Sequence, residues 1–156
     1  MNGVSRVVSS ILIPITILVV VGISLLIIQK RAKAVGAKDI ESHFPDPSTI
    51  WRTEPSANFI GLKSRGGFQI RGNGVLVLTA EELWFSRFAL QLVISIPLNQ
   101  IQDVCLVKSH LGKRVFGSQL LYVEFQTSEG VDAVAWFVAQ PQEWQSAITN
   151  AMHGFR

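Results

Sequence analysis

Between Val7 and Ile28 the chain runs for 22 residues without a charged side chain, and 16 of those residues are apolar. A segment of that kind has few folded options. As a helix rising 1.5 Å per residue it is about 33 Å long, enough to cross a hydrocarbon core of about 30 Å. Uncharged core helices are shorter, about 10–14 residues, so residues 7–28 read as a transmembrane helix in contact with the lipid bilayer. Pro14 removes one backbone hydrogen bond and kinks such a helix without barring insertion. The competing reading is a cleaved signal peptide, because Ala32-Lys33-Ala34 has the small-x-small form of a cleavage site. The apolar stretch of a signal peptide is about 7–15 residues long and has its basic residues in front. Here Lys30, Arg31, Lys33 and Lys38 follow the run and only Arg6 precedes it. By the positive-inside rule, residues 1–6 lie outside and the C-terminal part lies in the cytoplasm, held at the cell membrane by a single pass.

Charge separates the chain in the same place. Residues 1–39 carry five Lys/Arg against Asp39, whereas residues 40–156 carry nine Lys/Arg against ten Asp/Glu. The pI near 9.4 therefore belongs to the flanks of the apolar run and not to a basic domain, which removes the main support for nucleic-acid binding. Cys105 is the only cysteine, so no internal disulfide forms, and its apolar neighbours predict a buried, inert thiol.

Residues 29–56 read as a linker, basic at first and then broken by Pro45, Pro47 and Pro55, with Ile50 and Trp51 as apolar islands that dock on the domain. From residue 57 the pattern becomes that of short strands. Candidates are Phe59–Leu62, Phe68–Arg71, Val75–Thr79, Leu83–Arg87, Leu92–Ile96, Ile101–Lys108, Leu120–Thr127 and Ala133–Val138. Asn73-Gly74 predicts a turn or bulge, and Ser128-Glu129-Gly130 a tight hairpin. The chain closes with one helix, started by Pro141, with Trp144, Ala147, Ile148, Ala151 and Met152 along one face. The expected fold is mainly β: a bent antiparallel sheet or partial barrel of about seven strands over residues 57–153, with one C-terminal capping helix. Trp84, Trp136 and Trp144 are expected in its core.

Three stretches carry a family likeness: Val75-Leu76-Val77-Leu78-Thr79-x-x-x-Leu83-Trp84-Phe85, Ile96-Pro97-Leu98-x-x-Ile101-x-x-Val104, and Pro141-x-x-Trp144. Together they resemble the pleckstrin-homology-like (PH-like) superfamily, in particular GRAM-type and bacterial PH-like domains. The resemblance implies a seven-stranded bent sheet capped by one helix, serving as a docking platform and not as a catalyst. The family's phosphoinositide pattern is a set of basic residues in the first hairpin. This chain has Lys63, Arg65 and Arg71 there, with Gln69 where the paired basic residue would stand.

The search for catalytic chemistry yields no constellation. His43, His110 and His153 lack a second His, Cys or carboxylate at metal-ligand spacing, and no Gly-x-Ser-x-Gly elbow occurs. Gly72-Asn73-Gly74 lies between strands and Gly112-Lys113-Arg114 lacks the first glycine and the Ser/Thr of a P-loop, so neither is a nucleotide motif. No enzyme activity, metal or cofactor is expected. What remains is basic: Lys63, Arg65 and Arg71 in one loop, and Lys108, Lys113 and Arg114 around another. If both loops lie at one end of the sheet, Lys63, Arg65, Arg71, Lys113 and Arg114 form an anion or headgroup patch. The sequence thus predicts a single-pass interaction module that docks a protein partner or the membrane surface. One alternative is a reader of anionic lipid headgroups; another is an exported, anchored β-barrel holding a small ligand.

Overall fold

The computed structural model describes residues 34–154 and, before them, helical residues 16, 18–24 and 26. Most of the predicted 7–28 span lies outside the described residues, and among the described residues no helix is long and apolar enough to cross a membrane. The chain divides after Val35 into two units. The second opens with helical residues 36–43 (α1) and continues as seven strands and a final helix. The strands are β1 (Ile50–Leu62), β2 (Gly72–Thr79), β3 (Glu82–Arg87), β4 (Val93–Pro97), β5 (Ile101–Val107), β6 (Leu120–Thr127) and β7 (Gly130–Phe137), followed by α2 (Pro141–His153).

All neighbours pair antiparallel in the order β4-β3-β2-β1-β7-β6-β5. The sheet is open, since β4 and β5 are its two edges, as expected of a bent sheet that does not close into a full barrel. The 13-residue β1 joins the two halves. Its register shifts between Glu54 and Ala57 against β2, and again between Phe59 and Gly61 against β7. Such bulges add twist and bend a strand, which lets one strand serve both halves. Pro55 falls inside the first bulge, where its missing N–H costs no ladder bond. The predicted linker therefore ends earlier than residue 56, because Ile50–Ser56 are already strand.

Two other local expectations are settled. Asn73-Gly74 does not turn the chain, since both residues are paired within β2, but the register shift against β1 falls beside Gly74, so the bulge half of the expectation holds. Glycine is needed at 74 because a Cβ there would collide with the Ser86 carbonyl oxygen and the Phe85 ring across the ladder. Phe68–Arg71 alternates like a strand but is irregular loop.

The largest core lies between the sheet and α2, with Leu76, Phe85, Leu121 and Trp136 of the sheet meeting Trp144, Ile148 and Ala151 of the helix. Helix α2 begins at Pro141 and carries Glu143 in its first turn, where a negative charge complements the helix dipole. Arg52 of β1 pins that turn, with Nη2 2.8 Å from Glu143 Oε2 and the guanidinium 5.1 Å from the Trp144 ring centre. Trp84, Trp136 and Trp144 are all core residues, as expected.

The opposite face of β2 and β3 is covered too. Val75, Val77 and Trp84 meet Phe44 and the partly buried Ile40, Ile50 and Phe88. His43 stacks on Trp84 at 4.8 Å, its Nε2 lies 2.9 Å from Glu82 Oε1, and Ser86 Oγ donates to Asp39 Oδ2 at 2.7 Å. Helix α1 is thus a docked element and not a solvated connector. This double covering explains why Val75–Thr79 is a continuous apolar run and not an alternating one.

Candidate binding surface

Gln69, the departure from the basic pattern, organises the β1–β2 loop. Its Oε1 accepts from Leu62 N at 3.0 Å, while its Nε2 donates to Leu62 O at 2.6 Å and to Gly66 O. One neutral amide can satisfy a donor and two acceptors in this way, whereas an ammonium or guanidinium has no acceptor to offer Leu62 N. Ser64 fixes the loop's start, with its N and Oγ donating to Asp132 at 2.9 and 2.6 Å.

The β5–β6 loop is stitched to the first. His110 and Lys113 exchange backbone hydrogen bonds at 2.9 Å around Leu111 and Gly112, whose φ values of 52° and 72° give a tight left-handed turn. From this turn Lys113 Nζ donates to Ile60 O at 3.1 Å and to Gln69 O at 2.7 Å. His110 Nε2 meets Gly61 O at 3.1 Å, and Arg71 Nη2 donates to Arg114 O at 3.1 Å. The β3–β4 loop is tied in by Arg87, which donates to Ile70 O at 3.1 Å and to Leu90 O at 2.7 Å.

The structure therefore brings the two predicted basic loops together, while dividing the five residues by role. Arg71 and Lys113 hold the loops to each other through backbone carbonyls. Burial, and then the Arg71 charge, push the Lys113 ammonium below its usual range. Lys63, Arg65 and Arg114 are exposed, and among the described residues their side chains make no hydrogen bond or ion pair. Lys108, which the patch did not include, is in the same condition.

Sequence reading missed the apolar part of this surface. Phe68 and Phe116 are 107% and 100% exposed, and Ile70 and Leu90 are both 67% exposed. Leu90 is held outward with φ of 61°, a region a bulky side chain rarely enters. A signal was available for Phe116, which precedes Gly117 and has Arg114 and Ser118 at strand spacing, so it sits in turn sequence and not in an apolar strand pattern. Beside Phe116 the loop frames an open groove of about 510 Å³, bordered by Lys108, Ser109, Arg114 and Ser118.

His110 is buried, and burial pushes its imidazole below the usual 6.5. Because Gly61 O can only accept, the neutral ring carries its proton on Nε2. The unfolded chain then takes up a proton before the folded one does, so stability falls as pH drops below about 6.5. His110→Gln, which keeps a donor, is expected to lose less stability between pH 7 and pH 5.5 than the parent in urea titrations. An identical loss would remove His110 from the loop's acid response.

Cys105 on edge strand β5 is half-buried and not fully buried as expected. Desolvation and the neighbouring Asp103 carboxylate push its thiol up, which disfavours the thiolate. Among the described residues no group of three or more His, Cys, Asp or Glu is placed to hold a metal ion.

The comparisons with known proteins show a fold. No protein-family model and no curated protein matches the chain. Among solved structures it is similar to the C-terminal domain of an unknown protein from Leishmania infantum, with a TM-score of 0.52 and 19% identity over 74% of this chain and 96% of that one. It is also similar to a chain of the 8S snRNP assembly intermediate, with a TM-score of 0.54 and 14% identity over 69% of this chain and 85% of that one. At such identities the likeness concerns architecture alone.

Proposed function

We propose that this chain is a membrane-anchored, non-catalytic interaction module of PH-like type whose cross-linked loops dock on an anionic bilayer surface. The strand order and the helix α2 support the PH-like reading, because a bent seven-stranded sheet with one C-terminal helix is what that resemblance implies. The observation that carries the docking surface is the company of Phe68 and Phe116: fully exposed aromatics on loops tied together by Arg71 and Lys113, which also carry the cations Lys63, Arg65 and Arg114, unpaired among the described residues. Soluble surfaces rarely gather several large apolar side chains without a partner for them. Aromatic rings enter the headgroup region while cations on its rim meet anionic lipids, each contributing about 1 kcal/mol. Anchoring through residues 7–28 would hold the unit near the bilayer, so weak attraction suffices. The unit faces the cytoplasm in this reading, and a C-terminal reporter active only outside should stay silent.

Co-sedimentation of residues 36–156 tests the docking directly. Binding is expected to vesicles containing phosphatidylserine at low salt, to weaken as salt rises, and to be far weaker with phosphatidylcholine alone. Indifference to anionic vesicles at low salt would overturn the bilayer reading and leave these loops to a protein partner.

A further inference from the structure

The groove in the β5–β6 loop has a chemistry of its own. Its volume of about 510 Å³ falls within the range of small-ligand sites. Its border includes Lys108 and Arg114, the hydroxyls of Ser109 and Ser118, and the wall of Phe116, and no carboxylate lines it. Two positive charges are thus gathered on a stretch, residues 40–156, that carries one more acid than base. Neither cation has a side-chain hydrogen bond or ion pair among the described residues. The loop is also fixed in advance: Arg71 holds the Arg114 carbonyl, and the 110–113 turn is clipped to β1 through His110 and Lys113. Holding the backbone that carries the cations in advance lowers the ordering cost of binding an anion, which is then confined to their side chains.

The first-hairpin side offers a poorer site. The depression there, bordered by Arg65, Gln69 and Arg87, is about 200 Å³. Arg87 is committed to Ile70 O and Leu90 O, and Gln69 to Leu62 and Gly66, which leaves Arg65 as its one free cation among the described residues.

We infer that the β5–β6 groove binds a phosphate monoester, with Arg114 and Lys108 pairing with its two negative charges. A guanidinium fork matches two phosphate oxygens, and an ammonium supplies a second point charge. A monoester carries close to two charges at neutral pH, whereas a diester carries one, so two free cations favour the monoester. The inference does not depend on bilayer docking, since a soluble monoester meets the same groups.

The test uses the full chain in nanodiscs of phosphatidylcholine, with the Gly117 and Ser118 amide resonances as readout. Inorganic phosphate and glycerol 3-phosphate should shift them saturably at constant ionic strength, and dimethyl phosphate should bind at least tenfold more weakly. The double variant Lys108→Gln/Arg114→Gln should lose at least tenfold in affinity for glycerol 3-phosphate while its melting temperature and circular dichroism stay the same. Shifts matched by sodium chloride, equal binding of dimethyl phosphate, or undiminished affinity in the double variant would each overturn the inference. Nanodiscs containing phosphatidic acid then identify the source. Resonances already shifted without added phosphate assign the monoester to a lipid headgroup, and resonances that move only with free phosphate assign it to a soluble ligand. Loss of phosphatidylserine binding by residues 36–156 would sink the bilayer reading and leave this result standing.

Discussion

Replacing Phe68 and Phe116 together by serine is expected to weaken binding to phosphatidylserine vesicles by more than about 100-fold. Burying one such side chain is worth roughly 1.5–3 kcal/mol, and two together correspond to roughly two to four decades in affinity. The fold should not notice the change. Both side chains are fully exposed, neither belongs to a core cluster, and the bonds that join the loops run through Gln69, Arg71 and Lys113. Vesicle co-sedimentation beside a urea titration separates the two effects. Unchanged affinity with unchanged stability would show that the aromatics do not enter the bilayer, whatever the cations do. A uniform fall in stability would instead mean that the loops pack on these rings in solution.

Trp144→Ala should destabilise the second unit by about 3–5 kcal/mol, a large part of the stability of a small domain. The side chain is 1% exposed and lies in the main core with Trp136, Ile148 and Leu121. Its ring also carries the Arg52 guanidinium at 5.1 Å, and Arg52 in turn holds Glu143 at the start of α2. Truncation therefore opens a cavity and loosens the helix's first turn at once. The measurement is a shift of the urea midpoint with the slope unchanged. Trp144→Phe, which refills most of the space, should recover a good part of the loss. An unaltered midpoint for Trp144→Ala would mean that α2 contributes little to the fold.

The loop surface was only partly readable before the structure. Arg71 and Lys113 stood out as cations, and each was expected to face an anion. In the structure Arg71 Nη2 and Lys113 Nζ also donate to the carbonyls of Arg114, Ile60 and Gln69, partners 43 to 53 residues away for all three bonds. A side chain's charge is visible in sequence; whether a backbone oxygen from another loop has already claimed it is not. Phe68 and Ile70 misled in the opposite sense. Their spacing with Gln69 and Arg71 imitates a strand, yet Gln69 folds that stretch back on Leu62 and leaves both apolar residues outside.

Sequence alone determined the strand-rich class, the places of β3, β4, β5 and β6 to within a residue, the final helix, and the three core tryptophans. These follow from short-range rules: alternation at period two, apolar spacing at three and four, and proline at a helix start. Tertiary structure decided what depends on distant partners. It took Ile50–Ser56 out of the linker by pairing them with β2, kept Asn73-Gly74 straight because Gly74 lies against Ser86 and Phe85, and laid α1 over Val75, Val77 and Trp84. It also set the two basic loops side by side. Local propensity is written in neighbouring residues, whereas strand register, covered faces and loop meetings are fixed by contacts between residues far apart in the chain, and no window along the sequence contains both partners.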